Sequence, residues 1–124
     1  MAKKILLVDD DQYLRELYTE VLQTAGYEVT TAIDGEQALN TIVKGGYDLI
    51  LLDIMMPRLD GIGVLKSLKD KTINLPNGPI VLLTNLAHDP VILEATSLGA
   101  KTYLIKADIT PDQLLVKVKE YLGI

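Results

Sequence analysis

The chain has 124 residues, the length of one domain with a substantial core, and its composition of 48% hydrophobic and 23% charged residues excludes a disordered or low-complexity chain. The formal net charge of -5 argues against direct nucleic-acid binding, and the absence of cysteine excludes disulfides and thiolate chemistry. The basic segment at residues 1–4 precedes only four apolar residues, too few for a signal peptide or a membrane span, so we expect a cytoplasmic location.

Five short apolar runs alternate along the chain with segments of helical periodicity. We predict strands at residues 4–8, 28–32, 48–52, 79–83 and 101–105. Strict alternation of this kind is typical of a parallel sheet covered by helices on both faces. At this size the commonest arrangement is the α/β flavodoxin-like three-layer sandwich, with a five-stranded parallel sheet of order 2-1-3-4-5 and five helices.

Capping residues and glycines delimit four of the five predicted helices. The side chains predicted to cap helix N-termini are Asp11, Asp34, Asp89 and Thr110, with Gln37 and Gln113 as reciprocal partners and Pro90 and Pro111 at first helical positions. The glycines predicted to end helices are Gly26, Gly45, Gly46 and Gly99. The third helix is indicated by the apolar spacing of Ile62, Leu65 and Leu68, and an irregular loop with two prolines is expected at residues 74–79.

Acidic residues end two of the apolar runs. Asp9, Asp10 and Asp11 follow the first predicted strand, and Asp53 follows the third. These strands are neighbours at the switch point of the 2-1-3-4-5 order, where the ligand crevice lies beyond the carboxyl ends. Each like-charge pair there costs about 4 kcal/mol near a protein surface, so a raised pKa, a cation or a divalent metal must offset the repulsion. A cluster of hard oxygen ligands best suits Mg²⁺.

The acids are expected to divide their roles. Asp53 has no acidic neighbour in sequence and is a candidate nucleophile that accepts a phosphoryl group; the alternative is that it merely caps the following turn. Asp11 is expected to cap the first helix, which leaves Asp9 and Asp10 as metal ligands, directly or through water. The alternative for Asp9 and Asp10 is a solvated charge run at a helix start.

Two further residues are predicted at the same edge of the sheet. Thr84 ends the fourth strand and offers a hydroxyl to a phosphoryl oxygen, although threonine is common at strand ends through β propensity alone. Lys106 follows the fifth strand, and its ammonium is expected either to pair with Asp53 or to hold a phosphoryl oxygen. The alternative for Lys106 is a lysine that snorkels at a strand end, with its ammonium in solvent.

These residues together resemble a known family over essentially the full length of the chain. The positions that carry the resemblance are Asp9, Asp10, Asp53, Met56, Pro57, Asp60, Gly61, Thr84, Tyr103 and Lys106. The pattern is similar to that of the receiver domain of two-component response regulators, of which the chemotaxis response regulators are an example. The resemblance implies one receiver domain at residues 1–124, a phosphorylated signalling domain rather than an enzyme in the ordinary sense.

The resemblance also implies a role for each site residue. The acid matching Asp53 accepts a phosphoryl group from the phosphohistidine of a histidine kinase or of a phosphotransfer protein. Mg²⁺ is held by the counterparts of Asp10, Asp53 and the backbone carbonyl at Met55, and Asp9 assists through water. The counterparts of Thr84 and Lys106 bind the phosphoryl oxygens, and the ring matching Tyr103 turns inward as the threonine moves.

Partners follow from the same resemblance. The face made by helix four, strand five and helix five is the expected regulated surface, which family members use for homodimers or for targets. The chain ends at Ile124 without an output domain after the fifth helix, so the expected partner is either a separate target protein or an output domain in a longer regulator. Neither direct nucleic-acid binding nor membrane binding is expected.

Two departures from the family pattern involve three positions. Ala107 replaces the proline that usually follows the lysine, often with a cis peptide, so the geometry of that turn is open. Met55 and Leu86 are apolar where some members carry polar side chains that orient the hydrolytic water. We therefore expect slow self-dephosphorylation and a long-lived phosphorylated state.

Two other functions compete with this interpretation. One is a binding module that keeps the fold and never takes phosphate, which the presence of Asp53, Thr84 and Lys106 disfavours. The other is a metal-dependent phosphohydrolase, because Asp9 and Asp11 have the nucleophile-x-acid spacing of such enzymes, but the chain is too short to include a substrate-selecting cap. The only histidine, His88, has no second ligand spaced with it and is expected in a surface loop.

Overall fold

The computed structural model describes residues 2–85 and 89–123, which form five strands and five helices in strict alternation. The strands are β1 (Lys4–Val8), β2 (Glu28–Ala32), β3 (Leu49–Asp53), β4 (Ile80–Thr84) and β5 (Thr102–Ile105). The helices are α1 (Gln12–Thr24), α2 (Gly35–Lys44), α3 (Gly61–Leu68), α4 (Asp89–Ser97) and α5 (Pro111–Leu122), and Lys106–Asp108 forms a 3₁₀ turn. None of the helices within these residues is long and apolar enough to cross a bilayer.

The five strands form one parallel sheet of order β2-β1-β3-β4-β5, which confirms the predicted fold class and topology. β1 and β2 have the predicted bounds, whereas β3, β4 and β5 each begin one residue later than predicted. β3 and β4 also end one residue later, because Asp53 pairs in register with Leu83 and Thr84 with Ile105. Backbone pairing thus continues through a polar residue that the hydrophobic pattern treats as the end of a strand.

Alternate residues of each central strand pack into different halves of the core, as the two-residue period of a strand requires. Leu6 and Val8 of β1 contribute to the layer covered by α2, α3 and α4. Ile5 and Leu7 contribute to the opposite layer, covered by α1 and α5. The carboxyl edge of the buried central strands is left facing outward between the two helical layers, and it positions the candidate site.

Side-chain caps fix where the helices begin. The predicted caps Asp11, Asp34 and Thr110 accept hydrogen bonds from the backbone N–H groups of Leu14 (3.1 Å), Gln37 (2.9 Å) and Gln113 (3.2 Å). Gln113 accepts in turn from the Thr110 N–H, but Gln37 accepts from Ile33, one residue before its predicted partner. The cap of α3 is Asp60, which the sequence did not indicate. The Asp89 side chain, Leu86 and His88 lie outside the described residues.

The loop at residues 74–79 is irregular as predicted, and it is tied to the α2–β3 connection. The Asn77 side chain accepts a hydrogen bond from the Tyr47 N–H (3.1 Å) and donates one to the Ile42 carbonyl (3.0 Å). A Cβ at Gly45, whose φ is +77°, would lie 1.7 Å from the Leu75 carbonyl oxygen. Both loops are therefore held at the end of the sheet opposite the acidic residues.

Candidate functional site

Four polar side chains converge at the carboxyl edge of the sheet, each delivered by a different strand. Asp9 follows β1, Asp53 ends β3, Thr84 ends β4 and Lys106 follows β5. All four are buried, with Asp9 0% and Asp53 2% exposed. Polar groups of this kind are rarely buried without partners, so their arrangement indicates a built site.

One ammonium group forms ion pairs with two carboxylates. The Lys106 Nζ lies 2.9 Å from Asp9 Oδ2 and 3.1 Å from Asp53 Oδ2. The pairing of Lys106 with Asp53, which was one of the two alternatives raised by the sequence, is therefore present. A single positive charge between two negative ones leaves the buried cluster with a net negative charge, which favours a further cation beside it.

Backbone contacts fix the Asp9 side chain in place. Its Oδ1 accepts a hydrogen bond from the Asp11 N–H at 2.9 Å, while the Asp11 carboxylate caps α1. The Arg15 guanidinium donates to the Asp9 carbonyl at 2.8 Å. Sequence reasoning missed Arg15, because its position one turn into α1 carries no acid or strand-end signal of its own.

Burial and pairing shift the pKa values of the site in opposing ways. Burial raises the pKa of Asp53 to about 7, against the lowering effect of the Lys106 ammonium. Asp53 Oδ1 also accepts a 3.2 Å hydrogen bond from the Met55 N–H. Burial disfavours the Lys106 ammonium, but the hydrogen bond and charge of Asp9 and Asp53 outweigh it and raise the pKa of Lys106 above its ordinary value.

The acids form a group that could hold a metal ion. One carboxylate oxygen from each of Asp9, Asp10 and Asp53 lies within 4.8 Å of the others, and Asp10 is exposed while the other two are buried. Carboxylate oxygens are the ligands that a hard divalent cation prefers. Because Asp10 is exposed, the site is also open to solvent on that side. Asp11 caps α1 instead, as predicted.

The remaining predicted residues occupy distinct positions around this cluster. Thr84 is buried and lies in register with Ile105, the residue before Lys106. Met55 is 69% exposed, and Tyr103 on β5 is 38% exposed. No peptide bond among the described residues is cis, so the Lys106–Ala107 bond is trans and leads into the 3₁₀ turn.

Sequence reasoning also missed an ion pair beside the site. Arg58, in the β3–α3 loop, lies with its Nε 3.5 Å from Asp34 Oδ2, on the cap of α2. Its φ of +68° is the one positive value of a non-glycine residue in the described ranges. No periodic pattern in the sequence signals a pair of this kind, since it joins two loops that follow different strands.

Comparison with known proteins identifies a family that this sequence matches. Residues 5–119 match the family model described as "Response regulator receiver domain". The chain is 38% identical over 123 residues to "Sporulation initiation phosphotransferase F" of Bacillus subtilis (strain 168), and the match covers 98% of this chain and 95% of that relative.

Other relatives are longer. The chain is 38% identical over 120 residues to "Probable transcriptional regulator ycf27" of Cyanophora paradoxa, covering 97% of this chain and 48% of that relative. It thus spans about half the length of several curated relatives that it matches. Among solved structures, chemotaxis protein CheY4 of Vibrio cholerae superimposes with a TM-score of 0.83 at 32% identity, covering 98% of this chain and 100% of that chain.

Proposed function

The chain belongs to the family of response regulator receiver domains, with a phosphoacceptor role in two-component signalling, and we propose that Asp53 is the residue that accepts the phosphoryl group. The observation that carries this proposal is the Lys106 ammonium bridging the buried carboxylates of Asp9 and Asp53 beside Asp10. The donor that we propose is the phosphohistidine of a histidine kinase or of a phosphotransfer protein.

Phosphotransfer to Asp53 is a single displacement at phosphorus. A carboxylate oxygen of Asp53 forms the new P–O bond as the P–N bond to the donor histidine breaks, and the electron pair stays on the imidazole nitrogen. The Lys106 ammonium favours the ionised carboxylate that must attack. The Lys106 ammonium and the Thr84 hydroxyl then bind phosphoryl oxygens, since Thr84 ends β4 and Lys106 follows β5 at this edge of the sheet.

We propose Mg²⁺ as the cation of this site. Asp10, Asp53 and the backbone carbonyl of Met55 would hold it, and Asp9 would assist through water. When bound, Mg²⁺ neutralises the charge of the incoming phosphoryl group. The oxygen-only donor set and the excess negative charge left after Lys106 is counted support this choice.

The phosphorylated state would act through a surface of the same domain. We propose that residues 1–124 form one receiver domain and that phosphorylation changes the α4–β5–α5 face, with Thr84 moving toward the phosphoryl group and the ring of Tyr103 turning inward. This face would control a target protein or an output domain, or form a homodimer. The proposed location is cytoplasmic, and the chain would catalyse only its own phosphorylation and dephosphorylation.

The decisive experiment uses intact mass after incubation with Mg²⁺ and acetyl phosphate. We expect the mass to rise by one phosphoryl group in the wild type and to stay unchanged in Asp53→Asn, which keeps the shape of the side chain but removes the nucleophile. An unchanged wild-type mass would favour a binding module that never takes phosphate. Labelling of Asp53→Asn equal to the wild type would show that another residue is the acceptor.

We expect the phosphorylated state to be long-lived. Hydrolysis requires a water to attack phosphorus while the P–O bond to Asp53 breaks, and the exposed thioether of Met55 cannot orient that water strongly. Met55→Asn should therefore shorten the half-life of the purified phosphoprotein in Mg²⁺ buffer, measured by intact mass. Ile33→Asn, at an exposed residue beyond β2, should not. Rapid loss of phosphate from the wild type would contradict the expectation.

A further inference from the structure

The loop between β3 and α3 includes an arginine whose backbone conformation is rare for residues other than glycine. We call residues 54–60 the acceptor loop, because it leads directly away from Asp53. Within it, Arg58 has a φ of +68°, in the left-handed region that usually belongs to glycine, asparagine or aspartate. An arginine held there needs contacts that define it.

Those contacts come from the N-terminus of α2. The Nε of Arg58 lies 3.5 Å from Asp34 Oδ2, and the Asp34 side chain is only 11% exposed, although that of Arg58 is 67% exposed. Asp34 Oδ1 accepts the hydrogen bond of the Gln37 N–H at 2.9 Å. One carboxylate therefore both begins α2 and holds the acceptor loop.

The backbones of the two loops also touch. A Cβ at Gly35 would lie 1.8 Å from the Leu59 carbonyl oxygen, so the chain at Leu59 rests directly on α2. At the other end of the loop, the Gly61 N–H donates to the Ile54 carbonyl at 2.8 Å. The loop is thus fixed on both sides of Met55, the residue whose N–H contacts Asp53 at 3.2 Å.

We infer that Arg58 is a positioning residue, which clamps the acceptor loop to Asp34 and thereby sets the Met55 backbone for the cation that the site would hold. The inference rests on the proposed function, in which the Met55 carbonyl is a ligand. Neither Arg58 nor Asp34 belongs to the acidic cluster, so both act through the loop. Residues that orient metal ligands commonly tune metal affinity.

Mg²⁺ titration of the unphosphorylated protein, followed by amide chemical shifts of residues 53–55, tests the inference. We expect Arg58→Asn, which tolerates the left-handed φ, to weaken Mg²⁺ binding about tenfold. Asp34→Asn keeps a side-chain cap for α2 and should weaken binding to a similar extent. The double variant should be no weaker than either single one, because both changes break the same clamp.

Simple electrostatics predicts a different pattern. Removing the positive charge of Arg58 would tighten binding of a cation, and removing the negative charge of Asp34 would weaken it. Weakening by both changes therefore supports the clamp, whereas unchanged or tighter binding in Arg58→Asn overturns it. Arg58→Lys should recover most of the affinity, because an ammonium can still reach Asp34.

Amide hydrogen exchange of the metal-free protein separates this inference from the proposed function. We expect faster exchange at the Leu59 and Gly61 N–H groups in Arg58→Asn and in Asp34→Asn, with the Leu114 N–H of α5, which donates to the Thr110 carbonyl, unchanged. Wild-type protein that fails to bind Mg²⁺ would refute the proposed metal site, while unchanged exchange in both variants would refute the clamp itself.

Discussion

Lys106 is the residue on which the balance of charge in the site depends. With Asp9, Asp53 and Lys106 all buried, removal of the ammonium leaves the carboxyl groups of Asp9 and Asp53 facing each other with no cation between them. We predict that Lys106→Met lowers the free energy of unfolding by about 3 kcal/mol at neutral pH, as expected when one partner of a buried ion pair is lost. Urea denaturation measures the change.

The same experiment has a rescue and a control. Adding Asp53→Asn to Lys106→Met should recover part of the lost stability, because only one buried carboxylate then remains. Lys117→Met breaks the exposed Lys117–Glu120 pair and should cost about 0.5 kcal/mol or less. A Lys106→Met variant as stable as the wild type would show that the ammonium does not offset the repulsion between the acids.

The buried phenol of Tyr18 makes the stability of the protein depend on pH in the alkaline range. Tyr18 is 2% exposed, and burial raises its pKa above the ordinary value near 10. The unfolded chain then loses the phenol proton at lower pH than the folded chain does. The stability that this proton provides is therefore fully present below pH 10 and is lost as the pH rises through the pKa of the folded state.

Tyr18→Phe removes the titrating group and tests this argument. We predict that the decline in unfolding free energy above pH 10 is shallower in Tyr18→Phe than in the wild type, as measured by urea denaturation across the alkaline range. Tyr13→Phe alters a tyrosine that is 72% exposed and should leave the slope unchanged. Identical slopes for Tyr18→Phe and wild type would contradict the prediction.

The site residues differ in how readily they could be predicted from the sequence. Asp9, Asp53, Thr84 and Lys106 were predictable because each follows an apolar run, and a parallel sheet brings such positions to one edge. The Arg58–Asp34 pair was not predictable, since it depends on how two loops approach each other. Local sequence patterns indicate which residue follows a strand, but they do not indicate which loops contact each other at the edge of the sheet.

At the scale of elements, helix starts were predicted better than strand ends. Caps are local, because a side chain and an N–H two or three residues later complete them. Strand ends depend on the neighbouring strand: Asp53 and Thr84 remain in the ladder because Leu83 and Ile105 pair with them. The hydrophobic pattern of one segment contains no information about that partner.

The capping box of α5 provides a test at this scale. Thr110 accepts from the Gln113 N–H, and Gln113 accepts from the Thr110 N–H. We predict that Thr110→Ala lowers the free energy of unfolding by about 1 kcal/mol, since it removes one of the two bonds. Thr110→Ser retains the hydroxyl and should cost much less in the same urea titration. Equal losses in the two variants would assign the effect to the methyl group instead of the cap.

At the scale of the molecule, the sheet connects the site to one side of the sandwich. α4 and α5 cover opposite faces of the sheet, and β5 is the edge strand between them. Large exposed hydrophobic side chains among the described residues of these elements include Leu93, Tyr103 and Val116. Thr84 ends the strand that precedes α4, and Lys106 follows β5 and leads toward α5. A group that binds both Thr84 and Lys106 is therefore expected to shift the segments that lead into α4 and α5.

Phosphorylation should accordingly change the α4–β5–α5 face more than the opposite edge at β2. A phosphoryl group adds a charge of roughly -1.5 to -2 and strong acceptor oxygens, which draw the Thr84 hydroxyl and the Lys106 ammonium toward Asp53. We predict that, after treatment with Mg²⁺ and acetyl phosphate, amide hydrogen exchange changes most in residues 89–123 and least in β2.

Two variants decide whether the change depends on those contacts. Asp53→Asn should show no change with acetyl phosphate, because it lacks the acceptor. Thr84→Ala should still be phosphorylated at Asp53, since Lys106 remains, but the exchange change in α4 should be reduced because the link between the phosphoryl group and the segment preceding α4 is broken. Equal changes in Thr84→Ala and wild type would mean that the signal reaches this face by another route, with the β5–α5 connection at Lys106 as the remaining path.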